Sequence, residues 1–318
     1  MKAASVLLLL AACSRTGVDG PADGRPPADS GPSAPVGTDS GSSEDTAAPG
    51  AAPRVLQSGA HDLAYEGRER RFRLYLPPGL EPGAPLIVAL HGYGSSAAVI
   101  EGYSQLNALA DRQQVAVVYP EASRAGSVRC WNVGYCGNDD VDDVGFVRTV
   151  VELVQNDQGL GRTYVTGMSN GGDMTYRLVC EAPDLVAAAA SVTGCMMNWL
   201  AESCSPDPVP SVLHIHGNAD RTTLWDGDPD YTGGGYLGTL DSVGVFAALH
   251  GADQYEATTV SDAEDGSTYI LHHWRTESGA APVQLVEIDG GRHRWPTNAP
   301  RDDFSAAELM WEFFTAMD

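Results

Sequence analysis

Positive charge is the scarcest commodity in this chain. Its 318 residues carry 19 Lys and Arg against 42 Asp and Glu, Lys2 is the only lysine, and the formal net charge is −23. Such a surface repels phosphate backbones and anionic membranes, which disfavours nucleic acid and other polyanions as partners; solubility is the ordinary purpose of the acidity, with a salt-rich habitat as the alternative. The use of arginine alone beyond Lys2 reads as genome bias. Long apolar runs are missing as well. The stretch Val6–Leu10 falls far short of the roughly twenty residues that a membrane-spanning helix needs. Neither an internal repeat nor a second domain is visible. The acidic runs Asn138–Asp143 and Asp226–Asp230 lack the spacing and distal glutamate of an EF-hand loop. They are read as solvated loops and, at Asp142 and Asp143, as a helix N-cap, so no metal and no cofactor is expected.

The first residues concern location. Met1-Lys2 gives a positive start, Val6–Leu10 an apolar core, and Leu10-Ala11-Ala12-Cys13 a lipobox, so Cys13 is expected to become a lipidated N-terminus. The alternative is an ordinary secretory signal cut near the same place. Ser14 in the next position points to outer-membrane sorting. Residues 14–54 are Gly, Pro, Ser, Ala, Thr and Asp with almost no large apolar side chains, a composition that cannot offset the entropy of ordering and reads as a tether. Residues 55–318 suffice for one α/β domain. The expected product is exported, held at the cell surface or outer membrane by its lipid alone or else extracellular, and monomeric.

That domain alternates strand-like and helix-like runs, as a mostly parallel sheet covered on both faces does. Strands are expected at 72–76, 86–90, 115–119, 163–166, 187–192, 212–216 and 283–288, and helices at 97–112, 142–155, 174–180, 243–250 and 304–317. Gly167-Met168-Ser169-Asn170-Gly171 lies between one such strand and helix, the setting of a nucleophile elbow. A serine hydroxyl needs a histidine to take its proton and a buried carboxylate to orient that histidine. Asp220, in the turn after Val212–Gly217, and His293, in the loop Gly290–Pro296, follow Ser169 in the order that α/β-hydrolases use. Pro85–Leu90 runs into the turn His91-Gly92-Tyr93-Gly94, so the oxyanion hole is assigned to the backbone N–H groups of Tyr93 and Asn170. His91 is read as packing beneath that turn.

Five segments in order, Leu90-His91-Gly92, Asp142–Phe146, Val165–Gly172, His216–Asp220 and Gly291–Pro296, resemble the polyhydroxybutyrate depolymerase family of esterases, which also holds feruloyl and acetylxylan esterases. The resemblance runs from about Leu63 to the C-terminus. It implies an α/β-hydrolase fold and a cofactor-free acyl-enzyme mechanism acting on a polyester or its oligomers, with feruloyl or acetyl esters of plant polysaccharide as the alternative. Arg292 and Arg294 depart from the usual histidine motif, where glycine and threonine are common. No polymer-binding module is expected after the terminal helix, so small or oligomeric esters are expected over dense granules. A binding lipoprotein on an inert hydrolase scaffold and a peptidase are the competing readings, and the intact elbow and triad weigh against the first.

Among the six cysteines, five remain if Cys13 is lipidated. Cys130 and Cys136 are expected to bridge across the Trp131 loop. Cys195–Cys204 is the simplest further pairing, with Cys180 to either partner left open. No cysteine is placed to act as nucleophile. Trp295 and Trp131 are the chosen substrate-binding aromatics, Trp295 because it stands two residues from His293. Trp225, Tyr231 and Tyr236 are further candidates for an aromatic wall around the ester, with ordinary packing the favoured reading for all three.

Overall fold

The computed structural model describes residues 55–261, 268–299, 302 and 304–317; the lipobox Cys13 and the tether 14–54 lie outside them. Runs such as Leu86–Leu90 and Ala188–Val192 have no outward polar position, and every residue in both is buried. A strand of that kind is stable only with both faces of its sheet covered. The strands of the sheet are β1 (Gly59–Tyr65), β2 (Arg68–Tyr75), β3 (Leu86–Leu90), β4 (Ala116–Glu121), β5 (Thr163–Met168), β6 (Ala188–Val192), β7 (Ser211–Gly217), β8 (Gln254–Ser261), β9 (Thr268–Arg275) and β10 (Val283–Ile288). They form one sheet in the order β1-β2-β4-β3-β5-β6-β7-β10-β9-β8. From β4 to β10 all neighbours are parallel, and each edge is antiparallel.

Among the described residues seven α-helices accompany it: α1 (Ala97–Tyr103), α2 (Leu106–Gln113), α3 (Asp143–Gln158), α4 (Asn170–Glu181), α5 (Asn198–Ser203), α6 (Thr239–His250) and α7 (Ala306–Ala316). Their apolar stripes close two cores. Phe146, Val150, Met174, Leu178 and Phe246 from α3, α4 and α6 pack with Val88, Val165 and Leu285. Ile100, Leu109, Met310 and Phe314 from α1, α2 and α7 pack with Ile87, Tyr164 and Ile215.

Two differences from the sequence reading have local causes. The single helix expected at 97–112 breaks at Ser104 and Gln105, where Gln105 takes a left-handed φ of 63°. Its side chain donates to the Thr297 carbonyl at 2.8 Å and accepts from Ser305 Oγ at 3.1 Å, so distant loops hold a break that the local apolar pattern runs straight through. The edge strands β1, β8 and β9 were not foreseen either. β1 alternates half-buried and exposed residues, the signature of a strand at a solvated edge, and its polar side chains hide it among loops. Asp142, in one of the acidic runs, accepts the Gly145 amide at 2.9 Å and caps α3. Asp143 forms a buried ion pair with Arg70 at 2.7 Å and accepts the Asn132 amide at 2.7 Å, tying the Cys130–Cys136 loop to β2.

Candidate active site

β5 ends at Met168 and α4 begins at Asn170, leaving Ser169 alone in the turn with φ 57° and ψ −126°. A non-glycine residue held there stores about 1–3 kcal/mol of strain and needs surroundings that over-determine it. The glycines supply them. An added Cβ at Gly167 would lie 2.2 Å from the Gly171 carbonyl oxygen, and one at Gly171 would lie 2.1 Å from that of Leu90. Strand, turn and helix therefore pass backbone against backbone.

The loops carrying Asp220 and His293 are joined in the same way. A Cβ on Gly217 would fall 2.2 Å from the Gly291 carbonyl carbon. The Ala219 amide donates to Gly291 O at 3.0 Å, and the Gly290 amide donates to Asn218 Oδ1 at 2.8 Å. Across this junction His293 Nδ1 meets Asp220 Oδ2 at 2.7 Å. Asp220 Oδ1 accepts the amides of Thr222 and Thr223 at 2.7 and 3.1 Å. Burial works against an ionised Asp220, but the His293 hydrogen bond, the Thr222 amide and the nearby imidazoles outweigh it and hold the carboxyl below its ordinary value. Since Nδ1 is engaged, Nε2 is the ring nitrogen of His293 left to exchange a proton with substrate or nucleophile.

Behind Asp220 runs a chain of buried groups that the sequence reading did not single out. Tyr176 hydroxyl contacts His214 Nδ1, His214 Nε2 meets His216 Nδ1 at 2.9 Å, and His216 Nε2 meets the Thr223 carbonyl at 3.0 Å and Asp220 Oδ2 at 3.5 Å. A carbonyl only accepts, so His216 carries its proton on Nε2, His214 donates from its own Nε2, and Tyr176 donates to His214. Burial lowers the pKa of both histidines, which keeps them neutral. The alternating His-x-His at 214 and 216 along β7 was the available signal, since residues two apart on a strand share a face.

The turn His91–Gly94 passes over Ser169, close enough that a Cβ on Gly92 would lie 3.4 Å from Ser169 Cβ. Asn170 opens α4, so its amide has no partner within the helix. His91 is fully buried; its Nδ1 donates to Gly92 O at 2.8 Å and its Nε2 accepts the Ala122 amide at 3.1 Å, leaving neither nitrogen for substrate.

A cavity of about 260 Å³ opens beside Ser169, lined among others by Tyr93, Tyr135, Asp173, Cys195, Tyr231 and Tyr236. Here the aromatic assignments reverse. Trp131 has no exposed surface, donates its Nε1 proton to His91 O at 2.9 Å and its amide proton to Asn170 Oδ1 at 2.8 Å, so it braces the elbow from within the core. Trp295 is 5% exposed and packs with α7 in the other core. Tyr231 and Tyr236 line the cavity as an edge-on pair 5.2 Å apart; Tyr231 is exposed, whereas Tyr236 also packs in the core as expected. Closeness to His293 in sequence misled because the chain turns inward after Arg294.

Cys130 and Cys136 are bridged, and their loop delivers Tyr135 to the cavity. The pairing of Cys195 with Cys204 is not found. Cys204 bonds Cys180, at a Cα separation of 5.0 Å, and Cys195 is a buried free thiol. The last turn of α4 faces the end of α5, whereas the Cys195 amide is committed to Asp173 Oδ1 at 2.7 Å, turning that residue toward the cavity floor. The shorter sequence loop was the wrong criterion.

Residues 70–255 match the family model described as Esterase PHB depolymerase. The chain belongs to this family of esterases. Within it, the provisionally named esterase NocK of Nocardia uniformis subsp. tsuyamanensis is 32% identical over 74% of this chain and 74% of its own length. Poly(3-hydroxyalkanoate) depolymerase C of Paucimonas lemoignei is 30% identical over 70% of this chain, which spans 58% of that enzyme. Feruloyl esterase B of Piromyces equi is 24% identical over 70% of this chain and 42% of its own length. Among solved structures, an acetyl xylan esterase from Aspergillus awamori superposes with a TM-score of 0.62 at 17% identity, covering 81% of this chain and 99% of that one. That likeness establishes the α/β-hydrolase fold expected from the elbow.

Proposed function

We propose that this member of the depolymerase family is an exported serine esterase that cleaves short hydroxyalkanoate esters and oligomers through an acyl-enzyme. The observation that carries this reading is the 2.7 Å contact of His293 Nδ1 with Asp220, whose neighbours Thr222 and Thr223 line the same cavity as the strained Ser169. Ser169 Oγ attacks the ester carbonyl while His293 Nε2 takes its proton. Asp220 fixes the tautomer and stabilises the imidazolium, and the Tyr93 and Asn170 amides receive the oxyanion. The alcohol leaves with the proton from His293. Water then attacks the acyl-serine with the same histidine as base, releasing the acid and restoring Ser169. No step calls for a cofactor.

Two disulfides within the described residues favour an oxidising compartment, in line with the lipoprotein signal at Cys13. The cavity suits a small or oligomeric ester in a monomer. A feruloyl or related hydroxycinnamoyl ester is the second reading, favoured by the tyrosines at 135, 231 and 236. A fluorophosphonate probe tests the nucleophile: it labels the wild type and leaves Ser169→Ala unlabelled, and a wild type that takes up no label refutes the reading. Product analysis on hydroxybutyrate oligomers, methyl ferulate and acetylated xylan separates the substrates.

A further inference from the structure

Ester hydrolysis by the triad makes no use of most of the cavity wall beside Ser169. That wall is unusually polar for a site receiving a plain alkyl chain, with tyrosines 93, 135, 231 and 236, three threonines, and the carboxyl of Asp173. Asp173 is 4% exposed, on the first turn of α4 directly below the nucleophile. Its Oδ2 accepts the Tyr135 hydroxyl at 2.6 Å and its Oδ1 the Cys195 amide at 2.7 Å. The Cys195 thiol is a third hydrogen-bond partner of this carboxyl, and since a carboxylate offers about four acceptor positions, one remains for the cavity. No lysine or arginine is among the lining residues to balance its charge. Desolvation pushes the Asp173 pKa up to about 6, the mark of a carboxyl set in an unfavourable place. A helix-dipole role alone would be served as well by an exposed acid. Tyr135 is fixed in turn, for it accepts Asn170 Nδ2 at 2.8 Å, and the Asn170 side chain is clamped by Trp131. The acceptor is thus held rigidly relative to the elbow.

We propose that this cavity is a subsite for a hydroxyl-bearing arm of the ester substrate, in which Asp173 accepts the substrate hydroxyl and Tyr231 and Tyr236 flank its carbon skeleton. The proposal rests on the reading of Ser169 as nucleophile. At about 260 Å³ the space is below the roughly 300–1,000 Å³ of pockets for drug-sized ligands, which limits the arm to about one acyl unit. A 3-hydroxyl of a hydroxyalkanoyl group and a phenol of a hydroxycinnamoyl group present the same donor.

The test compares kcat/KM for ethyl 3-hydroxybutyrate against ethyl butyrate, and for methyl 4-hydroxycinnamate against methyl cinnamate, using the full chain, D173N and D173L. A hydrogen bond to a charged acceptor is expected to favour the hydroxylated member of one pair by about 10- to 100-fold in the wild type. The pair that shows the preference identifies the source of the hydroxyl. In D173L the ratio should fall to within about threefold of unity, and the isosteric D173N should at least cut it threefold should the leucine variant fail to fold. Equal rates within both wild-type pairs, or a preference that survives D173N unchanged, overturn the subsite while leaving the nucleophile intact. A wild type that cleaves none of the four esters and takes up no fluorophosphonate overturns the reading of Ser169 and the subsite with it.

Discussion

His91 should make the fold acid-sensitive by an amount that can be worked out in advance. Both of its nitrogens are committed inside the protein, one as donor to Gly92 O and one as acceptor from the Ala122 amide, an arrangement only the neutral ring can satisfy. Burial accordingly lowers its pKa from 6.5 to about 4. The sign follows from which state binds the proton. As pH falls through 6.5 the unfolded chain protonates at this site while the folded protein does not, so stability is present above that value and drains away down to about 4. At about pH 5 the unfolded state is favoured by a factor of about 30, or about 2 kcal/mol, whereas at about pH 7.5 the effect is close to nil. Urea unfolding of the wild type and H91Q at both pH values isolates this amount. His214 and His216 shift in the same direction and Asp173 in the opposite one, but all three are common to both proteins and cancel in the difference. The variant should lose about 2 kcal/mol less than the wild type between the two conditions. Equal losses would refute the neutral, doubly engaged His91.

Asp220→Asn removes the acceptor that fixes the His293 tautomer, and kcat should drop about 10⁴-fold with little change in KM in steady-state ester hydrolysis. His216→Leu strands His214 Nε2 and the Thr223 carbonyl behind the acid; kcat should fall about tenfold, the rate equivalent of one ordinary hydrogen bond, with the acid limb of the pH–rate profile displaced and H216N restoring part of the loss. Joint replacement of Cys180 and Cys204 by serine opens a loop with a sequence separation of 24, and thermal melts should show a loss of about 3.5 kcal/mol from loop entropy. Gly171→Ala drives a Cβ to 2.1 Å from the Leu90 carbonyl oxygen, a backbone atom that cannot swing aside, so soluble yield and melting temperature should both fall.

How much of this was legible in the chain depended on how local each signal was. The buried parallel strands announce themselves because a strand covered on both faces is apolar at every position, and Leu86–Leu90 needs no partner to be recognised. The elbow is legible because its glycines answer a steric demand made within five residues, Gly167 against Gly171. The edge strand Gly59–Tyr65 has only half its positions facing the protein, and the break at Gln105 is held by Thr297 and Ser305, nearly two hundred residues away, so neither leaves a mark a local pattern can detect.

The cavity shows the same rule from the other side. Chain proximity nominated Trp295 as a substrate contact, yet exposure is decided by which face of the fold a loop presents, and Trp295 turned into the core while Tyr135, Tyr231 and Asp173 arrived from three separate segments. Cys195 and Cys204 fail for a related reason: eight residues of intervening chain bring two thiols within range, but only the direction in which α4 and α5 end decides which of them meet. The proposed catalytic residues could be nominated from the chain because chemistry fixes their type and topology fixes their order. Specificity residues carry neither constraint, so Asp173 could be recognised only once its carboxyl was seen beneath Ser169 with no basic side chain lining the cavity.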